Sequence, residues 1–446
     1  MNYAETVDYL NSLSEQQNLA GQIIMKRQAV IEILNRLGNP HLGRKTVHIT
    51  GSKGKGSTSS LIASILTANG YSTALFTSPH LHCLAERICL NMKKVADEEF
   101  TDTLAQVYDA VEVENHGEYG LVSTFGALTA MYFQFARNHN VDWQVVEAGL
   151  GGATDGTNVF DQTDIVVVTA ISLEHTEILG NSTREIAENK AGLVKAGSTV
   201  VVAEQTEPEI LEIFKNRCKN MGANLIDVAH EYKVTNVIAE GNLQTFEVEN
   251  QGRSRTFTIS MMGRHQVSNA TAAIAAIDAI SRLGEPIAEE ALRGGLQAVS
   301  VPGRLEIVPG ETRTVIDGAH NGESMRMLVA ALKMHFVYDN LICIVGANSD
   351  KNITEMLSAL EGSANQLIVS KSQFVKAMSP QIIEEIAVGK GFKVSTTDST
   401  REALRQAYKL CDKNDLVCVT GSLYLVAEAR ELLVGKDNWS LAAVGG

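Results

Sequence analysis

Along the chain, short apolar runs rich in β-branched residues alternate with longer stretches whose apolar positions recur every three or four residues. The runs 47–50, 73–77, 144–147, 164–170 and 199–203 read as strands, and the stretches 57–68, 97–113, 125–136 and 183–195 between them as helices. Such alternation predicts βαβ units and a mostly parallel sheet, whose ligands sit beyond the strand C-termini. Ahead of it, residues 3–37 carry two helical patterns, the second on Ile24, Val30, Ile31, Ile33, Leu34 and Leu37 and stopped by Gly38-Asn39-Pro40. Past residue 205 come a helix over 207–219, alternating strands over 233–237, 244–249 and 255–259, and a helix over 269–280. Val301-Pro302-Gly303-Arg304 is the best linker candidate. Beyond it the alternation starts afresh, with strands over 305–308, 314–316, 341–345, 366–369 and 416–420 and helices over 325–334, 353–360, 380–388 and 401–410. The predicted class is α/β: a P-loop-type, mostly parallel central-sheet domain over 1–300 with a helical lead-in, followed by a smaller Rossmann-like α/β domain over 301–446.

Length and composition narrow the function classes. A chain of 446 residues exceeds one ordinary core, which supports the two-domain reading. No apolar run is long enough to span a bilayer and no basic, apolar leader stands at the start, so a cytoplasmic protein without membrane contact is expected. The net charge of −14 disfavours nucleic acid as a partner. Six scattered cysteines, with no Cys-x-x-Cys pair, suggest neither a zinc site nor a disulfide framework.

The chemistry concentrates where strands end. The first strand runs into Gly51-Ser52-Lys53-Gly54-Lys55-Gly56-Ser57 and then into a helix. A glycine-rich turn in that context offers backbone N–H groups to phosphates, Lys55 adds a point charge, and the Ser57 hydroxyl can ligate a metal on them. After the second strand, Thr77-Ser78-Pro79-His80 places the hydroxyl of Ser78 near this cradle. After the third, Glu147 closes an apolar strand ahead of Ala148-Gly149-Leu150-Gly151-Gly152, where a carboxylate beside phosphates suits Mg²⁺. After the fourth comes Ser172-Leu173-Glu174-His175-Thr176-Glu177. On pattern alone His175 reads more often as structural than as a ligand, and Lys190 as a solvated helix lysine.

Taken together, these blocks resemble the Mur ligase superfamily, specifically its folylpolyglutamate synthase/dihydrofolate synthase members. The resemblance runs nearly end to end: Leu37-Gly38-Asn39-Pro40-His41, the stretch 48–57, Thr77-Ser78-Pro79-His80-Leu81, Glu86-Arg87, Glu147 to Gly152, His175-Thr176-Glu177-Ile178-Leu179-Gly180, Lys190-Ala191-Gly192, His265-Gln266, Asn269-Ala270, Pro302-Gly303-Arg304, Asp317-Gly318-Ala319-His320-Asn321 and Thr420-Gly421-Ser422-Leu423-Tyr424.

The resemblance implies an ATP-dependent carboxylate–amine ligase that adds L-glutamate to a folate-type carboxylate through an acyl phosphate. It implies that Gly51, Ser52, Lys53, Gly54, Lys55, Gly56 and Ser57 hold the phosphates of ATP, with Ser57, Ser78 and Glu147 around one Mg²⁺ and His175 with Glu147 at a second. Lys190 matches a lysine that the family carbamylates. Asn269, Arg304 and Asp317 match contacts to adenine, phosphate and ribose, and His320 a residue close to the incoming amino acid. The acceptor side maps onto Thr124, Phe125, Gly126, Ala153, Thr154 and Asp155. A monovalent cation and a monomeric state are further expectations. Three departures stand out: Ser52-Lys53 replaces the usual Thr-Asn, Ala153 the arginine of Arg-x-Asp, and Gly126 the glutamate of Phe-Glu. The last two leave open a ligase of the same chemistry acting on a non-folate carboxylate. A nucleotide-binding protein without turnover is the reading from another class, disfavoured by the presence of Lys55, Glu147, His175 and Lys190.

Overall fold

The β-branched runs of the first half form buried strands because helices cover both faces of the sheet they build. The structure is a computed structural model and describes residues 1–19, 27–435 and 438–441; Ile24 and the last five residues of the expected C-terminal domain lie outside the described residues. Its compact parts are two units: one comprises residues 1–235, 247–257 and 268–298, the other 236–246, 258–267 and 299–446.

In the first unit, β1 (Lys45–Thr50), β2 (Thr73–Phe76), β3 (Ile88–Leu90), β4 (Lys93–Lys94), β5 (Trp143–Glu147), β6 (Ile165–Val168), β7 (Thr199–Val202) and β8 (Asn224–Asp227) make one sheet in the order β4-β3-β2-β5-β1-β6-β7-β8. It is parallel from β2 to β8, with β3 and β4 added antiparallel at one edge. Both neighbours of β1 are parallel strands reached later in the chain, and the connections leave β1 first toward β2 and later toward β6. A reversal of this kind opens a crevice at the C-terminal end of β1. The helix Lys55–Ala68 follows β1 directly and packs against Glu289–Gln297. Their close approach requires Gly295, where a Cβ would lie 2.5 Å from the Ile65 Cα.

Helices Tyr3–Leu19, Arg27–Arg36, Asp97–Asn115 and Thr124–Asn138 supply a core with Phe76, Phe133 and Phe160. A second cluster joins Val166, Val168, Val200 and Val202 to Ile186 and Phe214. The helix expected over 183–195 ends at Lys190 and tightens into a 3₁₀ turn, Ala191–Leu193. The Asn189 carbonyl there accepts the Ala153 N–H (2.9 Å), so a loop from outside takes an acceptor at the helix end.

Strands β9 (Lys233–Glu240), β10 (Leu243–Asn250) and β11 (Arg253–Ile259) form a three-stranded sheet in the order β11-β10-β9. In the second unit, β12 (Glu306–Val308), β13 (Thr314–Ile316), β14 (Leu341–Val345), β15 (Gln366–Val369), β16 (Val394–Thr396) and β17 (Leu416–Thr420) follow the order β12-β13-β17-β14-β15-β16, parallel except for β12. Helices Gly322–His335, Ile353–Leu360 and Pro380–Gly389 close over Val315, Cys343, Val345 and Leu367 to form its core. Strands β3, β4, β8 and β16 and the helices Glu289–Gln297 and Leu423–Val434 carry too short or too mixed a pattern to be anticipated from sequence.

Candidate active site

The glycine-rich loop leaves β1 with Gly51 at φ 143° and enters the helix at Gly54, φ 86°, a left-handed conformation that favours glycine. No side chain caps this helix, so its first N–H groups stay available to an anion. Ser52 and Lys53 instead donate their N–H groups to the Ala170 carbonyl (2.8 and 3.0 Å), and the Ser52 hydroxyl bonds the Ser172 carbonyl. These bonds fix the front of the loop. Gly54 lies so close to Asn269 that a Cβ would collide with the amide oxygen. The structure thus brings Asn269, far off in sequence, against the loop.

Two lysines converge on one carbonyl. Lys55 Nζ is 2.9 Å and Lys190 Nζ 2.8 Å from the Gly51 oxygen, and Lys190 also pairs with Glu174 at 3.0 Å. Lys190 is 1% exposed. Burial, reinforced by the charge of Lys55, lowers its pKa from 10.5 to about 8 against the opposing pull of Glu174. Burial acts to raise Glu174, yet Lys55, Lys190 and Lys53 together hold it below the usual carboxylate range.

Glu147, at the end of β5, is buried; its Oε2 accepts the Ser78 N–H at 2.8 Å and would lie 3.4 Å from a Cβ on Gly56. The carboxylate therefore abuts the phosphate loop. Ser57 is buried in the first turn of the helix. The loop bearing Ser78 is held from below by Glu86, whose two oxygens accept the N–H groups of Leu81, His82 and Cys83 (2.7–3.0 Å). His175 has φ 47° at the head of the short helix Thr176–Leu179, is half exposed, and lies 3.9 Å from Glu177. Among the described residues no three His, Cys, Asp or Glu side chains converge as a ready-made metal cage. A cation held by one carboxylate and hydroxyls is the arrangement suited to Mg²⁺ that phosphates complete, and the donors present fit it.

The expected acceptor residues fall on two segments. Thr124 bonds the Leu10 carbonyl, and Phe125 packs so tightly on Gly149 that a Cβ there would lie 2.5 Å from its ring. Gly126 is buried, with room for a Cβ only 3.2 Å from Val30. Ala153 fills the space left by Gly192, and Thr154 is exposed. Asp155 is buried and accepts from Leu150 N, Thr157 N and the Thr157 hydroxyl (2.6, 2.9 and 2.5 Å). With the Thr157 proton given to Asp155, His48 Nε2, 2.8 Å from the same oxygen, is the donor to it. Burial raises Asp155 and pushes His48 down to about 3.

In the second unit, Asp317 accepts from Leu305 N and Ala319 N (2.8 and 2.9 Å); burial raises its pKa and Arg304 opposes this. His320 donates from Nδ1 to the Gly318 carbonyl at 2.8 Å.

Glu174, Glu86, Thr157 and Asn189 were assigned no role from sequence. Glu174 adjoins a motif histidine, but nothing in spacing marks it as the partner of Lys190, sixteen positions on.

Residues 49–277 match the Mur ligase middle domain and residues 303–423 the Mur ligase glutamate ligase domain. The chain is 32% identical over 407 residues to the dihydrofolate synthase/folylpolyglutamate synthase of Bacillus subtilis, covering 90% of this chain and 93% of that one. It is 30% identical over 444 residues to the folylpolyglutamate synthase of Lacticaseibacillus casei, covering 98% and 100%. Its fold is similar to that of Mycobacterium tuberculosis folylpolyglutamate synthase complexed with ADP and AMPPCP, with a TM-score of 0.88 and 26% identity over 97% of this chain and 99% of that one.

Proposed function

The chain belongs to the Mur ligase family, in its folylpolyglutamate synthase/dihydrofolate synthase branch, and on that footing we propose that it is an ATP-dependent ligase adding L-glutamate to dihydropteroate, to a reduced folate, or to both. The observation that carries the reading is the buried Glu147 carboxylate set against Gly56 of an uncapped glycine-rich helix start. The acceptor carboxylate attacks the γ-phosphate to give an acyl phosphate and ADP; the glutamate amine then attacks the acyl carbon and phosphate leaves. Such a reaction needs charge neutralised along an in-line transfer and an oxyanion stabilised afterwards.

Gly51 to Ser57 receive the phosphates, with Lys55 neutralising charge and Asn269 on the adenine side. Ser57, Ser78 and Glu147 would hold Mg²⁺, and His175 with Glu147 a second ion; when bound, the metal supplies charge neutralisation on the phosphates. Arg304 and Asp317 serve phosphate and ribose, His320 the incoming glutamate, and Thr124, Phe125, Gly126, Ala153, Thr154 and Asp155 the acceptor. Lys190 is the carbamylation site: the ammonium first gives up one proton, and the neutral amine then takes up CO₂ and releases a second, so that a carbamate anion replaces a cation. A pKa of about 8 supports this, because roughly a quarter of the amine is then neutral near pH ~7.5, against about a thousandth for an ordinary lysine. A monovalent cation completes the set. The same proposal makes the ligase a monomer acting in the cytoplasm on small molecules and not on nucleic acid, the last supported by a net charge of −14. Among the described residues no helix is long and apolar enough to cross a membrane.

The test is ADP release by the purified chain with Mg²⁺, ATP and L-glutamate, dihydropteroate and tetrahydrofolate being added separately and the products weighed. A product heavier by one glutamyl unit is expected. Absence of acceptor-dependent ADP with either compound refutes the folate assignment and favours a non-folate carboxylate, the reading to which uncharged Gly126 and Ala153 point.

A further inference from the structure

At the opposite edge of the main sheet from the phosphate loop, the N-terminal ends of β1, β6 and β7 surround a cavity of about 650 Å³. The six residues of β1 separate the two places by about 17 Å. One wall is the turn after Leu37-Gly38-Asn39-Pro40-His41, a block to which the ligase reaction gives no task. That turn is tightly specified, with Gly38, Asn39 and Gly43 at φ 71°, 54° and 80°.

The polar groups here are unevenly matched. Lys45 pairs with Glu285, and Asp164 accepts the Thr46 N–H at 2.8 Å. Asp161 is exposed and within the electrostatic reach of Lys195 and His41. Arg44 donates from one terminal nitrogen to the Pro40 and Leu42 carbonyls (2.9 and 3.1 Å), but its Nε is buried with no partner and it forms no ion pair among the described residues. Its charged neighbour is another cation, Arg137. Among the described residues, His41, 6% exposed between Phe133 and Phe160, has an unpartnered Nδ1, and the buried Thr163 hydroxyl has no partner either. At the rim, Leu42 and Leu283 are each about half exposed.

With Nη1 on two carbonyls and no carboxylate partner among the described residues, the Arg44 guanidinium keeps an unbalanced positive charge in the cavity wall, which suits an anionic head. We propose that this cavity is a second ligand site, taking a small organic anion whose carboxylate or phosphate head pairs with Arg44 and whose apolar body rests on Leu42, Phe160 and Leu283. The proposal stands apart from the ligase assignment, since none of these residues belongs to the phosphate loop or its surroundings.

Calorimetric titration of the full chain, saturated with Mg²⁺ and ADP, with benzoate and separately with inorganic phosphate tests it. Benzoate is expected to bind saturably in the millimolar range, about tenfold or more weaker in Arg44→Gln and with the same affinity when Mg²⁺ and ADP are omitted. Phosphate binding with the same Arg44 dependence would identify the head group as the main determinant. Leu283→Asp provides a second variant that leaves the turn intact; its carboxylate at the rim should weaken both anions. No saturable binding of either probe, binding indifferent to both Arg44→Gln and Leu283→Asp, or binding seen only when Mg²⁺ and ADP are omitted would overturn the proposal.

Discussion

Replacing Lys190 by methionine, in buffer freed of carbon dioxide, probes the charge balance at the centre of the site. The ammonium has one carboxylate partner, Glu174 at 3.0 Å, and shares the Gly51 carbonyl with Lys55. Burial and Lys55 outweigh that partner and bring the pKa from 10.5 to about 8. Between those two values the unfolded chain keeps a proton on Lys190 that the folded chain has lost, so folding stability rises with pH across this window. At about 1.4 kcal/mol for each pH unit, the gap is worth about 3 kcal/mol. Differential scanning calorimetry of wild type and Lys190→Met should therefore show a constant difference below pH ~8. Above it, the wild type should gain progressively on the variant, by on the order of 5 °C in the transition of the unit containing β1 as pH approaches ~10. A difference that stays flat across the range would show that burial does not dominate. A wild type that loses ground as pH rises would show that the Glu174 pair outweighs burial and Lys55, and the carbamate assignment would lose its support.

Gly54→Ala should raise KM for ATP and lower turnover without unfolding the chain: a left-handed alanine costs about 1–2 kcal/mol and its Cβ strikes Asn269; unchanged ATP kinetics would separate Asn269 from the nucleotide. Glu86→Ala strips three backbone N–H groups of their acceptor and should lower stability by on the order of 3 kcal/mol, with Glu86→Gln intermediate in thermal unfolding; equal stability of the three proteins would refute the role of Glu86 in holding the Ser78 loop. Gly126→Glu should destabilise by about 1–3 kcal/mol through overpacking on Val30, and Val30→Ala in the same chain should recover part of it; strict additivity in that cycle would deny the contact.

Strand identity was legible because β1, β5, β6 and β14 are buried along nearly their whole length, and burial on both faces selects unbroken β-branched runs. The edge strands β4 and β16 have no such constraint and read as loop. The glycine-rich loop was legible for a related reason: Gly51 and Gly54 take positive φ that side chains rarely adopt, so the chain must be glycine-rich there, and that requirement is written in consecutive letters. Lys190 is the opposite case. Its partners are the Gly51 carbonyl, 139 positions away, and Glu174, sixteen away, and no local pattern records either. Gly126 and Ala153 show a third situation, in which a substitution visible in the sequence has a packing counterpart: Gly126 admits Val30, and Ala153 occupies the space beside Gly192.

The same crowding of charge bears on the order of events. Lys53, Lys55 and Lys190 all pull Glu174 toward its ionised form, and Lys55 pushes Lys190 toward its neutral one. A polyphosphate entering beside Lys55 adds negative charge, which offsets the repulsion between the two lysines and returns Lys190 toward its protonated state. Reaction of an amine with CO₂ requires the neutral form, so the proposed modification of Lys190 would be favoured in the nucleotide-free protein. Once formed, the carbamate has the sign that Lys55 attracts, and the modification and the phosphate would then share that lysine. On these electrostatics the proposed carbamylation would precede nucleotide binding, and uptake of labelled CO₂ at Lys190 should be slower when Mg²⁺ and ADP are already present; equal rates would mean that the field of Lys55 does not govern Lys190.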